Sequence, residues 1–194
     1  AVNFGTIGFL ATIEPDELDT GIGLAMKGEF DTMPIPGLVA STSEGEQIGI
    51  NDISFHRQHT GRVAELAYSV EGEQLGEVRC DGLVVATPAG STGYNLANGG
   101  PVLAWGVAGY VVSFIAPHTL TARALVVAPG DRLAVRNRSR EEDVEMTTDG
   151  RSVCVLPREG TIEIRFEPEL ALLAQLPGAS FYHRLREKFG RLAY

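Results

Sequence analysis

The feature that most constrains the fold is a series of short β-branched and apolar segments, each ending at a turn signal. Alternation of apolar and polar residues over a few positions predicts half-buried strands. Glu71-Gly72 and Asp149-Gly150 are acid–glycine pairs typical of tight hairpin turns. Many short strands at regular spacing are typical of a β-sandwich. The predicted strands span residues 21–28, 47–57, 62–70, 74–79, 83–86, 110–115, 124–127, 132–137, 144–148, 152–156 and 161–166.

Few segments are predicted to be helical. Residues 91–98 are predicted to form a short helix with Ser91 or Thr92 as its N-cap. Residues 180–189 place apolar side chains four positions apart, which gives a helix with one apolar stripe. The chain is therefore predicted to be mainly β and sandwich-like, with few short helices.

The charge balance argues against a nucleic-acid partner. The chain carries 16 Lys and Arg against 25 Asp and Glu, a net charge of −9. Nucleic-acid-binding proteins usually present a basic face. Four arginines between positions 132 and 140 are followed at once by three acidic residues, which favours a solvated hairpin end over a functional patch.

The sequence also gives expectations about membranes, thiols and metals. The longest apolar run, residues 101–117, contains Gly106 and Gly109 and is closed by prolines, so a loop and a buried strand are favoured over a membrane span. The first residues of the chain lack the charged region of a signal peptide, and we expect a soluble, cytoplasmic protein. Cys80 and Cys154 are expected to be bystander thiols, and no structural metal held by protein side chains is expected.

The strongest chemical motif is residues 81–101, DGLVVATPAGSTGYNLANGGP. A short all-apolar strand leads into a loop in which Pro88 fixes φ and Gly90 permits a tight turn. The helix that follows would present free N–H groups and the positive end of its dipole to an anionic or polar ligand. Asp81 offers a carboxylate to sugar hydroxyls or an amide, and Tyr94 offers a ring for stacking. The segment therefore predicts a nucleotide site.

These residues resemble the NAD kinase family. DGLVVATPAGSTGY followed by GGP is similar to the family signature D-G-x-x-x-x-T-P-T-G-S-T-A-Y followed by G-G-P. Residues 3–10, NFGTIGFL, resemble the family loop N-x-G-x-L-G-F-L, and Asn51-Asp52 stands where the family has Asn-Glu. Residues 116–120, APHTL, resemble its P-H-S-L segment. The resemblance covers essentially the whole chain.

The resemblance implies a β-rich, NAD-binding domain that is normally preceded by an α/β domain. Residues 1–20 would be the remnant of that α/β domain with its linking loop, residues 21–175 the NAD-binding domain, and residues 176–194 a C-terminal helical tail. The family's Gly-Gly-Asp-Gly-Thr motif, which supplies the expected base for the 2′-hydroxyl, does not occur in these residues. It is expected upstream of Ala1, and no catalytic residue is assigned in this chain.

The implied activity is phosphorylation of the 2′-hydroxyl of the adenosine ribose of NAD, which makes NADP. ATP or polyphosphate would be the donor, with a divalent metal ion, Mg or Mn, accompanying ATP. A homodimer or homotetramer is also implied. The choices between ATP and polyphosphate and between NAD and NADH stay open. Two other functions stay open as well: a non-catalytic NAD-sensing module and a lipid kinase of the same superfamily.

The resemblance also assigns NAD contacts residue by residue. Asn51 would hydrogen-bond adenine, and Asp52, one methylene shorter than the family's Glu, would bind ribose hydroxyls. Asp149 would lie near the neighbouring subunit's site, and His118 is expected to be a satisfied core histidine. The other implied contacts are Phe9 near the adenine–ribose region, Arg79 and Asp81 in the dinucleotide pocket, and Ala89, Thr92, Gly93, Tyr94 and Ala97 along the start of the helix.

Overall fold

The structure is a computed structural model that describes residues 2, 4, 9–11, 13–59, 61–177 and 180–190. The chain divides into two compact units. One consists of Ala1–Ile35 with Ala171–Tyr194, and the other of Pro36–Leu170. The predicted family loop at residues 3–10 lies outside the described residues except for Phe4, Phe9 and Leu10.

Two six-stranded sheets dominate the described residues. The first contains β1 (Asp31–Thr42), β2 (Gly45–Gly49), β4 (Ala64–Val70), β5 (Glu73–Cys80), β9 (Leu133–Asn137) and β12 (Thr161–Gln175) in the order β2-β1-β12-β9-β4-β5. The second contains β3 (Asp52–Arg57), β6 (Gly82–Ala86), β7 (Tyr110–Ile115), β8 (Leu125–Val127), β10 (Val144–Thr148) and β11 (Arg151–Leu156) in the order β11-β10-β3-β6-β7-β8. The strand pairs of the second sheet are antiparallel.

The helices are short and few in the described chain. They are α1 (Leu18–Lys27), α2 (Tyr94–Ala97) and α3 (Phe181–Phe189), with single 3-10 turns at Pro15–Glu17 and Gly90–Thr92. None of the helices among the described residues is long and apolar enough to cross a membrane.

The main core lies between the inner faces of the two sheets within Pro36–Leu170. Strand alternation places every second side chain there: Ile53 and Phe55 of β3 are fully buried beside Leu66 of β4 and Leu133 of β9. Antiparallel sheets packed over one core form a sandwich, so the predicted mainly β, sandwich-like class is confirmed.

The outer face of the second sheet is covered by the chain between β6 and β7. Val84, Ala86 and Val111 point away from the main core and pack with Leu103 of that connection. On β3, the same alternation turns Asp52, Ser54 and His56 to the face opposite Ile53 and Phe55. The sheet therefore presents a polar row beside a small second apolar cluster.

Most predicted strands are confirmed within two residues at each end, and residues 110–115 and 144–148 match without change. Residues 47–57 form two strands, because the chain turns at Ile50 and Asn51. Strand β12 runs nine residues beyond the predicted end at 166. Both acid–glycine hairpins are confirmed, with positive φ at Glu71 and at Asp149 and at the glycine that follows each of them.

Two segments differ in kind from the prediction. Residues 21–28 were expected to be a strand, but they belong to α1, which ends where Gly28 adopts a left-handed conformation (φ 73°) and donates its N–H to Ala25 O. Strand β1 was not expected, because Pro34 and Pro36 interrupt the usual strand pattern. The predicted C-terminal helix is confirmed as α3, whose N-cap Ser180 accepts from the N–H of His183.

Leu83→Ala tests the main core. Leu83 is fully buried on β6, so its truncation should lower the free energy of unfolding by about 2–5 kcal/mol, measured by urea denaturation. Leu120→Ala is the matched control, since Leu120 is 92% exposed and should change it by less than about 0.5 kcal/mol. Equal losses in the two variants would contradict the assigned core.

Candidate functional site

The loop after β6 is tied to the residues before β3 by Thr87. Its N–H donates to Asn51 O (2.9 Å) and its hydroxyl donates to Ile50 O (2.7 Å). The same hydroxyl accepts from the N–H of Gly90 (3.1 Å), and Ser91 N–H donates to Thr87 O (2.8 Å). One fully buried threonine therefore holds together the loop after β6 and the segment before β3, at one end of these two central strands.

Gly90 is required by a close approach of two backbones. A Cβ at this position would lie 1.9 Å from the carbonyl oxygen of Asn51 and 2.4 Å from its carbonyl carbon. The neighbouring atoms are main chain, which cannot rotate away as the end of a flexible side chain would. The glycine predicted as a turn residue thus serves mainly to let the loop reach the Asn51 peptide.

The hydroxyls of the Ser91-Thr92 pair bind the loop itself. Ser91 Oγ donates to Pro88 O (2.7 Å) and accepts from the N–H of Leu103 (2.9 Å), while Thr92 Oγ1 donates to Ala89 O (3.2 Å). The prediction that either residue caps a helix is wrong, since neither side chain makes a capping bond. Their hydroxyls form hydrogen bonds within the loop, where it folds back on itself.

The expected single helix over residues 91–98 is also wrong. A 3-10 turn at Gly90–Thr92 is followed by a break at Gly93 (φ −97°, ψ −125°), and α2 contains only the four residues Tyr94–Ala97. Buried Asn95 reinforces the turn by donating to Ser91 O and Pro101 O, both at 3.0 Å. A helix this short has little dipole to offer a ligand, so the predicted anion preference of its start loses its basis.

The segment before β3 is held on its other side by Asp149. Its Oδ2 accepts from the N–H of Ile50 (2.9 Å), and its Oδ1 accepts from the N–H groups of Asn51 (2.7 Å) and Asp52 (3.1 Å). Asp149 N–H donates in return to Asp52 O (3.0 Å). The side chain of Asn51 remains exposed, at the rim of the site.

Asp52 is a buried carboxylate, with 8% of its surface exposed. Among the described residues its side chain accepts no hydrogen bond. Burial raises the pKa of Asp52 to about 6, and the negative charge of Asp149 contributes in the same direction. A buried acceptor without donors is suited to hydroxyl groups of a ligand.

Tyr94 lies over this polar row. Its ring stacks on His56 with centroids 5.7 Å apart and planes at 23°. Partial burial and the negative charges of Asp52 and Asp81 raise the pKa of the Tyr94 hydroxyl. Because Tyr94 is still 38% exposed, the pair forms a flat, accessible aromatic surface beside the two carboxylates.

His56 was not predicted as a site residue. Burial lowers its pKa, against an opposing influence of Glu145, so the ring is neutral at pH 7. Its Nε2 lies 2.8 Å from Ser54 Oγ, which lies 2.7 Å from Thr147 Oγ1. The period-two alternation from Asp52 through Ser54 to His56 is the sequence signal that identifies this row.

Asp81 is paired with a second unpredicted residue, Arg57. The guanidinium Nε lies 2.8 Å from Asp81 Oδ1, and the second nitrogen donates to Oδ2 at 3.1 Å. Arg57 also donates to His59 O (2.8 Å). This ion pair depends on the β3–β6 register, in which His56 faces Gly82, and no local sequence pattern reports that register.

The other predicted site residues are distributed differently. Gly93 and Ala97 are exposed at α2, whereas Ala89 and Thr92 are buried in the loop. Arg79 is exposed on β5 and lines a groove with His118. The expectation that His118 is a core histidine is wrong, because it lies exposed after β7; within the described residues its hydrogen bond runs from the main-chain N–H to Arg79 O.

Phe9 belongs to the unit formed by Ala1–Ile35 and Ala171–Tyr194. Within that unit it packs between Phe181 (5.5 Å, edge to face) and Phe189 (5.8 Å, stacked) of α3. Arg184 donates to the carbonyl of Phe9 at 2.8 Å. Its described contacts are therefore those of a core residue of this unit.

The cysteines and the arginine-rich segment do not extend the site. Burial raises the pKa of Cys80 to about 12, so its thiol stays protonated at neutral pH. Arg136 and Arg138 both bind Glu159 Oε2 at 2.6 Å, as expected of charges on a hairpin face.

Gly90→Ala tests the backbone approach. The added methyl group should force the loop from Asn51 and lower the free energy of unfolding by at least about 2 kcal/mol, measured by urea denaturation. Gly106→Ala, in the same connection between β6 and β7, is the control, because no atom lies within 4 Å of a Cβ there. A Gly90→Ala variant as stable as Gly106→Ala would contradict the described geometry.

Asp52→Asn tests the cost of the buried carboxylate. Since folding raises the pKa of Asp52 to about 6, the stabilisation from its protonated form is complete below about pH 4 and is lost as pH rises through 6. The Asn variant should therefore exceed the wild type by on the order of 1–3 kcal/mol at pH 7.5, and by little at pH 4. Denaturation across this pH range measures the difference. Asp131→Asn is the control substitution, and a pH-independent difference at position 52 would contradict the argument.

Comparison with known proteins supplies the family. The ATP-NAD kinase C-terminal domain matches residues 50–175. NAD kinases of Gemmatimonas aurantiaca and Syntrophotalea carbinolica are each 33% identical to the chain, over 195 and 194 residues respectively. Each alignment covers 97% of this chain and 68% of the relative.

Solved structures share the fold. Yeast NADH kinase complexed with NADH has a TM-score of 0.86 at 20% identity, covering 100% of this chain and 60% of that one. An Archaeoglobus fulgidus NAD kinase in complex with ATP has a TM-score of 0.80 at 23% identity, covering 96% and 71%. The signature loop, the two-sheet fold and the family match together lead to one conclusion: the chain belongs to the NAD kinase family, of which it contains the C-terminal domain.

Proposed function

We propose that the protein is an NAD kinase, which transfers a phosphoryl group to the 2′-hydroxyl of the adenosine ribose of NAD, and that this chain supplies its NAD-binding part. The family assignment supports the reaction class. The observation that carries the proposal is that Tyr94, stacked on His56, lies over the outer face of β3 near Asp52, which follows the exposed Asn51.

The chemistry of these groups fits a nucleoside. The exposed amide of Asn51 offers both a donor and an acceptor to the edge of adenine. Asp52 accepts from ribose hydroxyls, and that contact would satisfy a buried carboxylate that has no donor of its own among the described residues. Tyr94, backed by His56, offers its ring to a base.

The remaining predicted contacts belong to the same proposal. Asp81 would receive a polar group of the dinucleotide while Arg57 holds its carboxylate in place. Gly93 and Ala97 would contribute exposed backbone and small surface, since neither carries a polar side chain. Contacts with the dinucleotide are also proposed for Phe9, Arg79, Ala89 and Thr92.

The metal would accompany the donor rather than this domain. Across the described ranges, no group of three or more His, Cys, Asp or Glu side chains is placed to hold a metal ion. Mg²⁺ is commonly held through substrate phosphates and one or two carboxylates, so an ion bound with ATP would not need such a group. A metal bound with ATP would neutralise charge on the transferred phosphoryl group.

The donor side of the reaction lies outside the residues assigned here. The base for the 2′-hydroxyl is proposed to come from a Gly-Gly-Asp-Gly-Thr motif in an α/β domain, of which residues 1–20 would be the remnant. Residues 21–175 would be the NAD-binding domain and residues 176–194 its tail. A cytoplasmic homodimer or homotetramer that uses ATP or polyphosphate completes the proposal.

The proposal is tested with the full-length gene product. NAD and NADH are each assayed with ATP and with polyphosphate, and NADP or NADPH formation is followed. Turnover is expected with at least one donor, and 2′-deoxyadenosine NAD should not react because it lacks the acceptor hydroxyl. Binding of NAD without phosphorylation would indicate a sensing module. The absence of both NAD binding and turnover would overturn the assignment.

Asp81→Asn tests the site within that assay. Loss of the carboxylate charge should raise the KM for NAD about tenfold, because a charged hydrogen bond is worth more than about 1.4 kcal/mol. Circular dichroism should show an unchanged fold. Asp131→Asn serves as control, and an unchanged KM in the Asp81 variant would remove Asp81 from the site.

A further inference from the structure

The hairpin between β10 and β11 turns on Asp149, which adopts a left-handed conformation with φ 47°. Aspartate and asparagine tolerate this region better than most residues, so the backbone by itself does not demand a carboxylate. Gly150 completes the turn with φ 76°. What distinguishes Asp149 is where its side chain goes.

Both carboxylate oxygens of Asp149 bind main-chain N–H groups of one distant segment. Three successive N–H groups, those of Ile50, Asn51 and Asp52, donate to it over 2.7–3.1 Å. Successive N–H groups converging on one anion form a strong site, and hydrogen bonds to a charged acceptor are about twice as strong as neutral ones. The reciprocal bond from Asp149 N–H to Asp52 O fixes the hairpin tip in register.

The opposite side of the same segment is held by Thr87, through the carbonyls of Ile50 and Asn51. The N–H groups of Ile50–Asp52 thus face the Asp149 carboxylate, and the carbonyls of Ile50 and Asn51 face Thr87, so these peptides are restrained from two directions. The side chains they carry are the Asn51 amide and the Asp52 carboxylate. The orientation of these two side chains depends on peptide groups that Asp149 holds in place.

We propose that Asp149 is a positioning residue for the dinucleotide site, acting through the Ile50–Asp52 backbone rather than by touching the nucleotide. This proposal rests on the proposed function, since it assigns Asn51 and Asp52 to the ligand. It reassigns the Asp-Gly hairpin, which the family resemblance placed near a neighbouring subunit's site, to this subunit's own site. It also makes Asp149 a charge next to Asp52.

The charged surroundings of Asp52 give the proposal a second readout. Asp149 approaches it from the β10–β11 turn and Tyr94 from α2, while His56 lies four residues further along β3, on the same face of the strand. Burial raises the pKa of Asp52, and the negative charge of Asp149 contributes in the same direction. Its removal should make Asp52 ionise at lower pH.

The test is Asp149→Asn in the full-length enzyme. Asparagine keeps the size and the left-handed turn but loses the charge and presents an NH₂ group to N–H donors. Because the displaced Asn51 and Asp52 side chains would bind the nucleotide less well, the KM for NAD should rise about tenfold, with kcat changed less than about threefold. The acidic limb of the kcat/KM profile should move to lower pH.

Glu71→Gln is the matched control. Glu71 also opens an acid–glycine hairpin, with φ 50°, and its Oε1 accepts from the N–H of Arg132 at 2.7 Å. It is a charged hairpin clamp at a different turn of the fold, between β4 and β5. Its loss should leave both the KM for NAD and the acidic limb at their wild-type values, because lower stability alone removes active enzyme without moving either.

A second variant and a second measurement keep the inference separate from the proposed function. Asp149→Ser retains one acceptor and should act in the same direction if the Asn variant does not fold. NMR of the amides of Ile50–Asp52 and of the Asp52 carboxyl titration reports the clamp without any turnover. An inactive wild type would overturn the proposed function alone. Wild-type KM, acidic limb and amide shifts in the Asp149 variants would overturn the inference alone.

Discussion

The site depends on the hydrogen bonding between Thr87 and the peptides of Ile50 and Asn51. These bonds bring the loop after β6 against the start of β3, and they are possible only because Gly90 has no side chain. The Ser91 hydroxyl then donates to Pro88 O and accepts from the N–H of Leu103, which folds the rest of the connection back over the sheet. The candidate site is thus built mainly by hydrogen bonds to the backbone, and these position the few side chains that it contains.

The sandwich explains why polar groups appear where they do. Its inner faces are filled by alternating apolar residues, so the intervening positions of β3 must face outward. On β6 and β7 the outward-facing Val84, Ala86 and Val111 pack with Leu103, whereas β3 presents the buried Asp52 and the partly exposed His56 on that face. Burying an acid there opposes folding at neutral pH, a cost that binding sites commonly carry.

Local patterns predicted much of this and tertiary relations limited the rest. Short strands and acid–glycine turns such as Glu71-Gly72 are set by neighbouring residues, and they appear nearly as expected. Strand β1 is not predicted from the sequence because it contains Pro34 and Pro36. The strand tolerates both prolines because it lies between β2 and β12, with which its other residues pair. Arg57 escaped notice because its partner Asp81 is 24 positions away and meets it only through strand register.

The clamp on the Ile50–Asp52 peptides joins residues 97 to 99 positions apart. Contacts this distant in sequence close late, since each requires the intervening chain to be ordered or looped out. On the ribosome, Asn51 and Asp52 emerge well before the β10–β11 hairpin exists. The proposed nucleotide site is therefore completed only after the β10–β11 hairpin has been synthesised, and a nascent chain that stops before this hairpin carries Asn51 and Asp52 without the contacts that orient them.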